Sequence, residues 1–324
     1  MTDHPAVAAA VRAPVGRGSI LGWGASLPEG RLTNADLEAR LDTSDTWIRE
    51  RTGIGERRIG GPVSRLATEA GALALERAGL SSADVDLLIL ATSTPDDPRM
   101  PTSAAVHRAL GLTCGAFDLD AACAGFVYAL SAAHAMVQAG HEHVLVIGAD
   151  AMSTITDPDD RATAILFGDG AAAVVVGGSD DGGLLGWDGG TDGEAARFLY
   201  CEREGFIQMT GSEVFRRAVT VVVSSCRAVL DAAGVDASEV ALFVPHQANL
   251  RIIRAACERL GIPEDHVALV VEGTGNTSAA SVPLALSSAA DAGRLADGDL
   301  VLFTGFGAGM TWASGLARWR AVRA

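Results

Sequence analysis

The sequence contains no lysine: all 25 basic residues are arginine, and 40 residues are acidic, so the formal net charge is −15. A surface of that sign repels a phosphate backbone, which argues against broad nucleic-acid binding. Asparagine is also scarce and occurs only at Asn34, Asn249 and Asn276. Both shortages indicate a GC-rich genome, and they draw attention to the position of each asparagine.

Other patterns are missing as well. The five cysteines include no CxxC pair, so they predict neither a disulfide framework nor a zinc site. No apolar run approaches the roughly 20 residues that cross a bilayer, and the chain does not start with a basic segment followed by an apolar core. The glycine turns FGDG and GFGAG lack the GxGxxG spacing of a dinucleotide site. We therefore expect a cytoplasmic protein with no metal, no cofactor and no membrane or nucleic-acid partner.

An internal repeat is present. Residues 75–90, LERAGLSSADVDLLIL, align with residues 230–245, LDAAGVDASEVALFVP, at an offset of 155 with five identities. Two further pairs follow in the same order at offsets of 155 and 156: CAGFVYAL on SAASVPLA, and HVLVI on DLVLF. The order and the nearly constant offset indicate an internal duplication, whose period is too long for a solenoid. We predict two similar halves, residues 1–176 and 177–324.

Each half has the same coarse pattern. A helix ends at Gly79 or Gly234, and a polar turn and an apolar strand follow. A second helix begins near Cys123 or Ser278, and a further apolar strand comes after it. Strands rich in Val, Ile and Leu that alternate with helices predict parallel sheets covered on both faces, so the fold class is α/β. The duplication places Cys123 and Ser278 at equivalent helix starts, which can face each other across a shared site.

Three residues at such element ends carry side chains capable of chemistry. Cys123 lies in DLDAACAGFVYAL, where a helix N-terminus lowers the pKa of a thiol; a packed core residue is the alternative. His246 follows the strand VALFVP, where a structural hydrogen bond is the alternative. Asn276 lies between a glycine turn and a helix start, where an N-cap is the alternative. Taken singly, none of the three decides the function.

The motifs around these residues are more specific when they are taken together. HQANLRII and GNTSAASVPLAL, with SDTWIRERTGIGERRI, FGDGAAAVVV and GFGAGMTWASGLARW, make nearly the whole chain resemble the β-ketoacyl-[acyl-carrier-protein] synthase III family of the thiolase superfamily. The resemblance implies a thiolase-like α/β fold, in which duplicated βαβαβαββ halves form a five-layered αβαβα sandwich. It also implies a homodimer, and it accounts for the repeat.

The resemblance assigns the chemistry to Cys123, His246 and Asn276. Cys123 takes an acyl group from an acyl-CoA, with acetyl-CoA as the expected primer. Malonyl-acyl carrier protein (malonyl-ACP) then loses CO2, and an imidazole N–H and an amide NH2 hold its enolate. The backbone N–H groups of Cys123 and Ala308 hold the second oxyanion, although many relatives have glycine in place of Ala308. The implied reaction is a decarboxylative Claisen condensation that gives β-ketoacyl-ACP, CoA and CO2 and initiates fatty acid biosynthesis.

The same resemblance assigns the surfaces that bind the two thioesters. An aromatic face with guanidinium groups suits a nucleotide with phosphates. The implied CoA-binding residues are Trp47, Arg51, Arg161, Ser212 and Phe215, and many relatives have asparagine at the position of Ser212. Acyl carrier protein is acidic, so arginines near the channel mouth must make the local electrostatic potential positive on a chain that is acidic overall. The candidates for docking the carrier protein are Arg216, Arg217, Arg251 and Arg254.

Met100 is expected to affect the choice of primer. It occupies the position where many relatives have an aromatic residue that the neighbouring subunit contributes to the acyl pocket. Methionine is flexible, so we expect a pocket that accepts more than acetyl. The other four cysteines carry no motif, and we predict packing roles for them: Cys114, Cys201, Cys226 and Cys257.

Three alternatives remain at this point. A priming ketosynthase or acyltransferase of a polyketide pathway uses the same cysteine with another primer or acceptor. A Cys–His–Asn thioester hydrolase uses the same residue types, but its histidine must act as a base toward the cysteine, and a papain-like signature is absent. A non-catalytic binding paralogue predicts damage to the Cys, His or Asn, and all three are intact.

Overall fold

A computed structural model describes residues 18–178, 183–203 and 205–320. The strands of the described residues are β1 (Ser19–Ser26), β2 (Gly30–Thr33), β3 (Glu56–Ile59), β4 (Leu87–Ala91), β5 (Gly115–Leu119), β6 (His143–Ala151), β7 (Asp169–Gly177), β8 (Gly183–Thr191), β9 (Leu199–Cys201), β10 (Ile207–Met209), β11 (Val240–Pro245), β12 (Leu300–Gly307) and β13 (Thr311–Arg318). The α-helices are α1 (Asn34–Glu38), α2 (Asp45–Thr52), α3 (Val63–Ala78), α4 (Thr102–Leu110), α5 (Gly125–Gln138), α6 (Arg161–Ala164), α7 (Gly211–Ala233), α8 (Leu250–Leu260), α9 (Val271–Thr274) and α10 (Ser281–Asp291). No helix in these ranges is both long and apolar enough to cross a membrane.

Two sheets repeat one strand order. The first sheet runs β1-β7-β6-β4-β5, with β6, β4 and β5 parallel and β1 and β7 forming antiparallel pairs. The second runs β8-β13-β12-β11, with the same alternation of antiparallel and parallel pairs. Where the first sheet has β5, the second has only a parallel bridge between Phe243 and Val267. The repeat seen in the sequence is therefore a repeat of structure.

Helices separate and cover the two sheets. α5 and α10 lie between them, in a core that also contains residues of both sheets, such as Val146 and Phe303. α3 and α4 pack on the outer face of the first sheet. α7 and α8 pack on the outer face of the second. The sequence of layers is αβαβα, as the resemblance implied.

At the turns that precede α5 and α10, the structural repeat differs by one residue from the sequence alignment. Short 3-10 turns span Ala122–Ala124 and Ser278–Ala280, and they lead into α5 and α10. Their first residues both have positive φ, 49° at Ala122 and 50° at Ser278. The offset here is 156, so the structural counterpart of Cys123 is Ala279, and the predicted equivalence with Ser278 is wrong. Gly79 and Gly234 still correspond at an offset of 155. The second half therefore has one extra residue between Gly234 and its turn, which accounts for the difference.

Candidate active site

A cavity of about 740 Å³ contains all three residues that the motifs single out. Its lining comes from both halves and includes Cys123, His246 and Asn276. The three side chains are more than nine-tenths buried, with exposed fractions of 8%, 3% and 5%. The fold thus brings a thiol, an imidazole and a primary amide to one enclosed place.

The turn between β5 and α5 positions Cys123. The Asp120 carboxylate accepts the N–H of Ala122 at 2.9 Å, and Ala122 adopts the left-handed conformation noted above. The end of β12 contacts this turn at Gly307. A Cβ atom added to Gly307 would lie only 2.5 Å from the backbone nitrogen of Cys123. Only glycine permits this approach, which brings the backbone of Gly307 and Ala308 beside the Cys123 amide.

The thiol of Cys123 is protonated at rest. Burial is the main reason that its pKa is raised to about 12; a hydrogen bond with Ser278 acts in the opposite direction, and the negative charge of Asp150 acts in the same direction as burial. The lowered pKa expected for Cys123 from a helix N-terminus is therefore wrong. The loss of solvation in an enclosed cavity outweighs the favourable backbone dipoles.

His246 is neutral and tightly held. It follows β11, its backbone N–H donates to Thr304 O at 2.8 Å, and its ring meets the edge of Phe306 at a centroid distance of 5.2 Å. Its Nδ1 lies 2.6 Å from the Ser281 hydroxyl oxygen. Burial lowers the pKa of His246 to about 3, so the ring carries one proton at neutral pH. The imidazole can therefore donate one hydrogen bond without first being ionised.

Asn276 serves both structure and chemistry. Its Oδ1 accepts the backbone N–H of Ser278 at 2.9 Å, which is a local bond just before the 3-10 turn; the N-cap residue of that turn is Thr277, so the N-cap alternative for Asn276 is wrong. Because a backbone N–H can face only the oxygen of the amide, this bond leaves the Nδ2 donors for the cavity. The backbone is fixed as well, since Asn276 N–H donates to Leu166 O at 2.8 Å and Asn276 O accepts the N–H of Gly168 at 3.0 Å.

Asp150 is a site residue that the sequence reasoning missed. It is fully buried at the end of β6. One carboxylate oxygen accepts bonds from the 92–94 segment, and the other accepts the N–H of Ala279 at 2.9 Å. It thus ties the first half to the turn that carries Asn276. The one sequence signal is an acidic residue in the otherwise apolar strand HVLVIGADA.

The predicted CoA-binding residues gather at the cavity and its rim. The guanidinium groups of Arg51 and Arg161 lie 5.5 Å and 5.1 Å from the centre of the Trp47 ring. Arg51, Ser212 and Phe215 line the cavity. The arrangement offers one aromatic face and two cations to a ligand at the entrance.

The four predicted docking arginines differ in their surroundings. Arg216 pairs with Glu213 at 2.7 Å and Arg217 with Asp192 at 2.9 Å. Arg254 lies 3.3 Å from Glu264. Arg251 lines the cavity with its guanidinium 5.3 Å from the Phe215 ring centre, and no acidic oxygen of the described residues lies within 4.0 Å of it. Of the four, Arg251 offers its charge most freely to a ligand.

Met100 and the cysteines predicted to pack in the core differ in their exposure. Met100 is 65% exposed and does not line the cavity of its own chain, so a role in an acyl pocket requires a second subunit. Cys201 is exposed and lines the cavity, so the packing role predicted for it is wrong. It lies at the end of the short strand β9, which the apolar pattern did not indicate. Cys226 and Cys257 are buried in the outer core, as expected.

Comparison with known proteins adds independent findings. Residues 117–193 match the family described as 3-oxoacyl-[acyl-carrier-protein (ACP)] synthase III, and residues 230–319 match its C-terminal part. The β-ketoacyl-[acyl-carrier-protein] synthase III 1 of Bacillus anthracis is 45% identical over 306 residues, which cover 93% of this chain and 98% of that protein.

Solved structures agree with the sequence relatives. The 3-oxoacyl-[acyl-carrier-protein] synthase III of Aquifex aeolicus superposes with a TM-score of 0.92 at 45% identity, covering 94% of this chain and 100% of that one. A priming β-ketosynthase from a polyketide biosynthetic pathway superposes with a TM-score of 0.91 at 38% identity, covering 97% and 100%.

Proposed function

The chain belongs to the β-ketoacyl-[acyl-carrier-protein] synthase III family and is a condensing acyltransferase of fatty acid biosynthesis, and on that basis we propose roles for its residues. Cys123 takes an acyl group from acyl-CoA and passes it to the carbanion formed from malonyl-ACP. The observation that carries the proposal is the enclosure of a thiol, a neutral imidazole and an oriented amide in one cavity. The reaction needs no metal and no organic cofactor.

The first step forms the acyl-enzyme. The Cys123 sulfur bonds to the thioester carbonyl carbon, the bond from that carbon to the CoA sulfur breaks, and the thiol proton leaves with CoA. With a pKa of about 12, the thiol gives up its proton only as the thioester engages it. The backbone N–H groups of Cys123 and Ala308 hold the later oxyanion, which forms when the carbanion attacks the acyl group on Cys123.

The second step forms the carbon–carbon bond. Malonyl-ACP loses CO2, and the electron pair of the broken bond becomes an enolate whose oxygen accepts bonds from the His246 N–H and the Asn276 NH2. The carbanion then attacks the acyl carbonyl on Cys123. The thiolate leaves and regains a proton from solvent. Both donors are held before the charge develops, so little reorganisation is needed.

The protonation state of His246 favours condensation over hydrolysis. A hydrolase needs the histidine to remove a proton from the cysteine or from water. An imidazole whose pKa is lowered to about 3 is a poor base toward a thiol whose pKa is raised to about 12. The same imidazole is a competent hydrogen-bond donor, which is what an enolate requires.

The primer and the carrier protein follow from the cavity and its rim. We assign acetyl-CoA as the main primer, with branched acyl-CoA also accepted because the flexible Met100 replaces an aromatic side chain. Trp47, Arg51 and Arg161 hold the nucleotide end of CoA. The acidic carrier protein docks where Arg251, which forms no ion pair within the described part of the chain, lies over the Phe215 ring, and Arg254, Arg216 and Arg217 extend that surface.

A homodimer completes the proposed site. β5 is an edge strand, and Phe117 on it is 37% exposed. Asp118 accepts the N–H groups of Thr102 and Ser103 at 2.7 Å and 2.8 Å, which fixes the Met100 loop beside this edge. Pairing of two chains through β5 would bury this surface and carry Met100 toward the partner.

The proposal is tested by following the products from labelled malonyl-ACP with acetyl-CoA or isobutyryl-CoA as primer. We expect one CO2 and one β-ketoacyl-ACP per CoA released with either primer. Rapid release of free acid without malonyl-ACP would indicate a hydrolase instead. Transfer of the intact acyl group without loss of CO2 would indicate the acyltransferase of a polyketide pathway, and trace turnover of isobutyryl-CoA would contradict the broader pocket.

A further inference from the structure

Ser281 determines which nitrogen of His246 carries the proton. We propose that the Ser281 hydroxyl donates to Nδ1 of His246, and that this bond holds the imidazole in the tautomer with its proton on Nε2. The inference rests on the proposed function, in which His246 donates to an enolate oxygen. Ser281 is then a positioning residue, since it acts through His246 and touches no substrate.

The Ser281 hydroxyl has one group that donates to it and one group that can accept its proton. Ser281 is fully buried at the start of α10, and its hydroxyl oxygen lies 2.6 Å from His246 Nδ1 and 3.3 Å from the backbone nitrogen of Gln247. The Gln247 N–H can only donate, so it occupies a lone pair of the hydroxyl. The proton of the hydroxyl has one recorded acceptor in the described residues, His246 Nδ1. Because buried polar groups use their hydrogen bonds, that proton goes to Nδ1.

The loop around His246 is held in one conformation by the side chain of Gln247. The Gln247 side chain donates to Pro245 O at 2.7 Å and to Ala268 O at 3.1 Å. Its Oε1 accepts the N–H of Val270 at 3.0 Å. The backbone on both sides of the imidazole is therefore fixed, and the ring meets Ser281 in one orientation.

The tautomer decides what the ring can do. A neutral imidazole carries one proton, so an Nδ1 that accepts a bond requires an Nε2 that donates one. An Nε2–H suits a developing oxyanion. The opposite tautomer, with Nδ1–H donating to Ser281, would present an acceptor that suits a base. The bond from Ser281 thus favours the tautomer that donates to the enolate and disfavours the tautomer that could remove a proton from the thiol.

The direct test is the tautomer itself, read from nitrogen chemical shifts in protein labelled with 15N-histidine, with His246→Gln used to assign the signal. We expect an unprotonated Nδ1 and a protonated Nε2 in the unliganded wild type. Ser281→Ala should give a mixture of tautomers. A protonated Nδ1 in the wild type, or an unchanged tautomer in a folded Ser281→Ala variant, would overturn the inference.

Kinetics of the two half-reactions separate this role from a general loss of structure. Ser281→Ala should acylate Cys123 at nearly the wild-type rate but lose decarboxylation of malonyl-ACP by about 10²-fold, the order seen when one oxyanion donor is removed. Ser287→Ala is the matched control: Ser287 lies on the same helix, is equally buried, and its hydroxyl has no hydrogen-bond partner among the residues that the structure describes. We expect it to behave as the wild type.

The outcomes distinguish this inference from the proposed function. A wild type that forms no acyl-enzyme or releases no CO2 would contradict the function whatever its tautomer. A wild type that condenses normally with a protonated Nδ1, or a Ser281→Ala variant that decarboxylates normally, would contradict only the role of Ser281.

Discussion

At the scale of single residues, the site holds two groups in their uncharged forms. Cys123 and His246 are both buried in the same cavity, and burial disfavours the thiolate of one and the imidazolium of the other. The two shifts therefore disfavour a thiolate–imidazolium ion pair between Cys123 and His246 at rest.

The raised pKa of Cys123 predicts how its reactivity depends on pH. With a pKa of about 12, alkylation by iodoacetamide should rise about tenfold per pH unit, without a plateau, up to about pH 10. The measurement is the rate of mass increase on the peptide that contains Cys123. A Cys201→Ser background removes the exposed thiol of the same cavity. A plateau near neutral pH would show that the thiolate is stabilised at rest and contradict the prediction.

The identity of the reacting residues could be predicted from the sequence, but their protonation states could not. Cys123, His246 and Asn276 stand in long motifs at the ends of strands and the starts of helices, and the structure brings them to one cavity. Their pKa values depend on how much solvent the completed cavity excludes, which is a property of the tertiary structure. The roles of Asp150 and Ser281 were not predicted for a similar reason, because their hydrogen-bond partners are distant in the chain.

At the scale of elements, the turn at Ala122–Ala124 and the end of β12 form one unit. Gly307 makes that contact possible, since any Cβ would meet Cys123 N at 2.5 Å and Ala122 Cβ at 2.8 Å. The sequence showed a glycine-rich segment, GFGAG, and could not indicate which glycine has no room for a side chain. That depends on the distance between two elements from different halves.

Substitution of Gly307 tests this contact. Gly307→Ala must displace the Cys123 turn, and a shift of about 1 Å at a reacting group costs about 10²-fold in rate. We expect at least that loss in the acylation of Cys123 by acyl-CoA, measured on folded protein. Gly273→Ala is the matched control, because a Cβ at Gly273 meets no atom within 4 Å. Equal activities of the two variants would contradict the account of the turn.

The same scale shows where sequence reasoning about the repeat succeeds and where it fails. The alternation of apolar strands with helices predicted an α/β fold with sheets covered on both faces, and the resemblance implied the five layers. The strand order was not predicted, and the expectation of parallel sheets was wrong in part, since each sheet also contains antiparallel pairs. The exact counterpart of Cys123 was missed by one residue, because the alignment gave one offset, 155, to both the first segment and the helix start. The positive φ values at Ala122 and Ser278, which fix the correct register, cannot be seen in an alanine and a serine.

At the scale of the whole molecule, the cavity takes its lining from both halves of the chain, and the acyl pocket that we propose adds Met100 of a second chain. Asp150 links the halves through Ala279, so the turn with Asn276 is held by a carboxylate from the other half. The exposed edge of β5, with Phe117 and the nearby Met100, supports association of two chains.

A substitution at this edge tests the dimer. Phe117→Asp places a charge on each side of the proposed two-fold contact and should shift the protein from dimer to monomer in analytical ultracentrifugation. Phe206→Asp is the control, since Phe206 is similarly exposed, at 43% against 37%, and lies outside β5. A monomeric wild type, or a Phe117→Asp variant that remains a dimer, would contradict the proposed interface.

Intact-protein mass spectrometry tests whether Cys123 carries the acyl group between the two thioesters. The protein is incubated with acyl-CoA, weighed, and then exposed to malonyl-ACP. We predict an increase of one acyl group that is absent in Cys123→Ala and that malonyl-ACP removes with formation of β-ketoacyl-ACP. No adduct with any acyl-CoA, or an adduct that persists in the Cys123→Ala variant, would contradict the account.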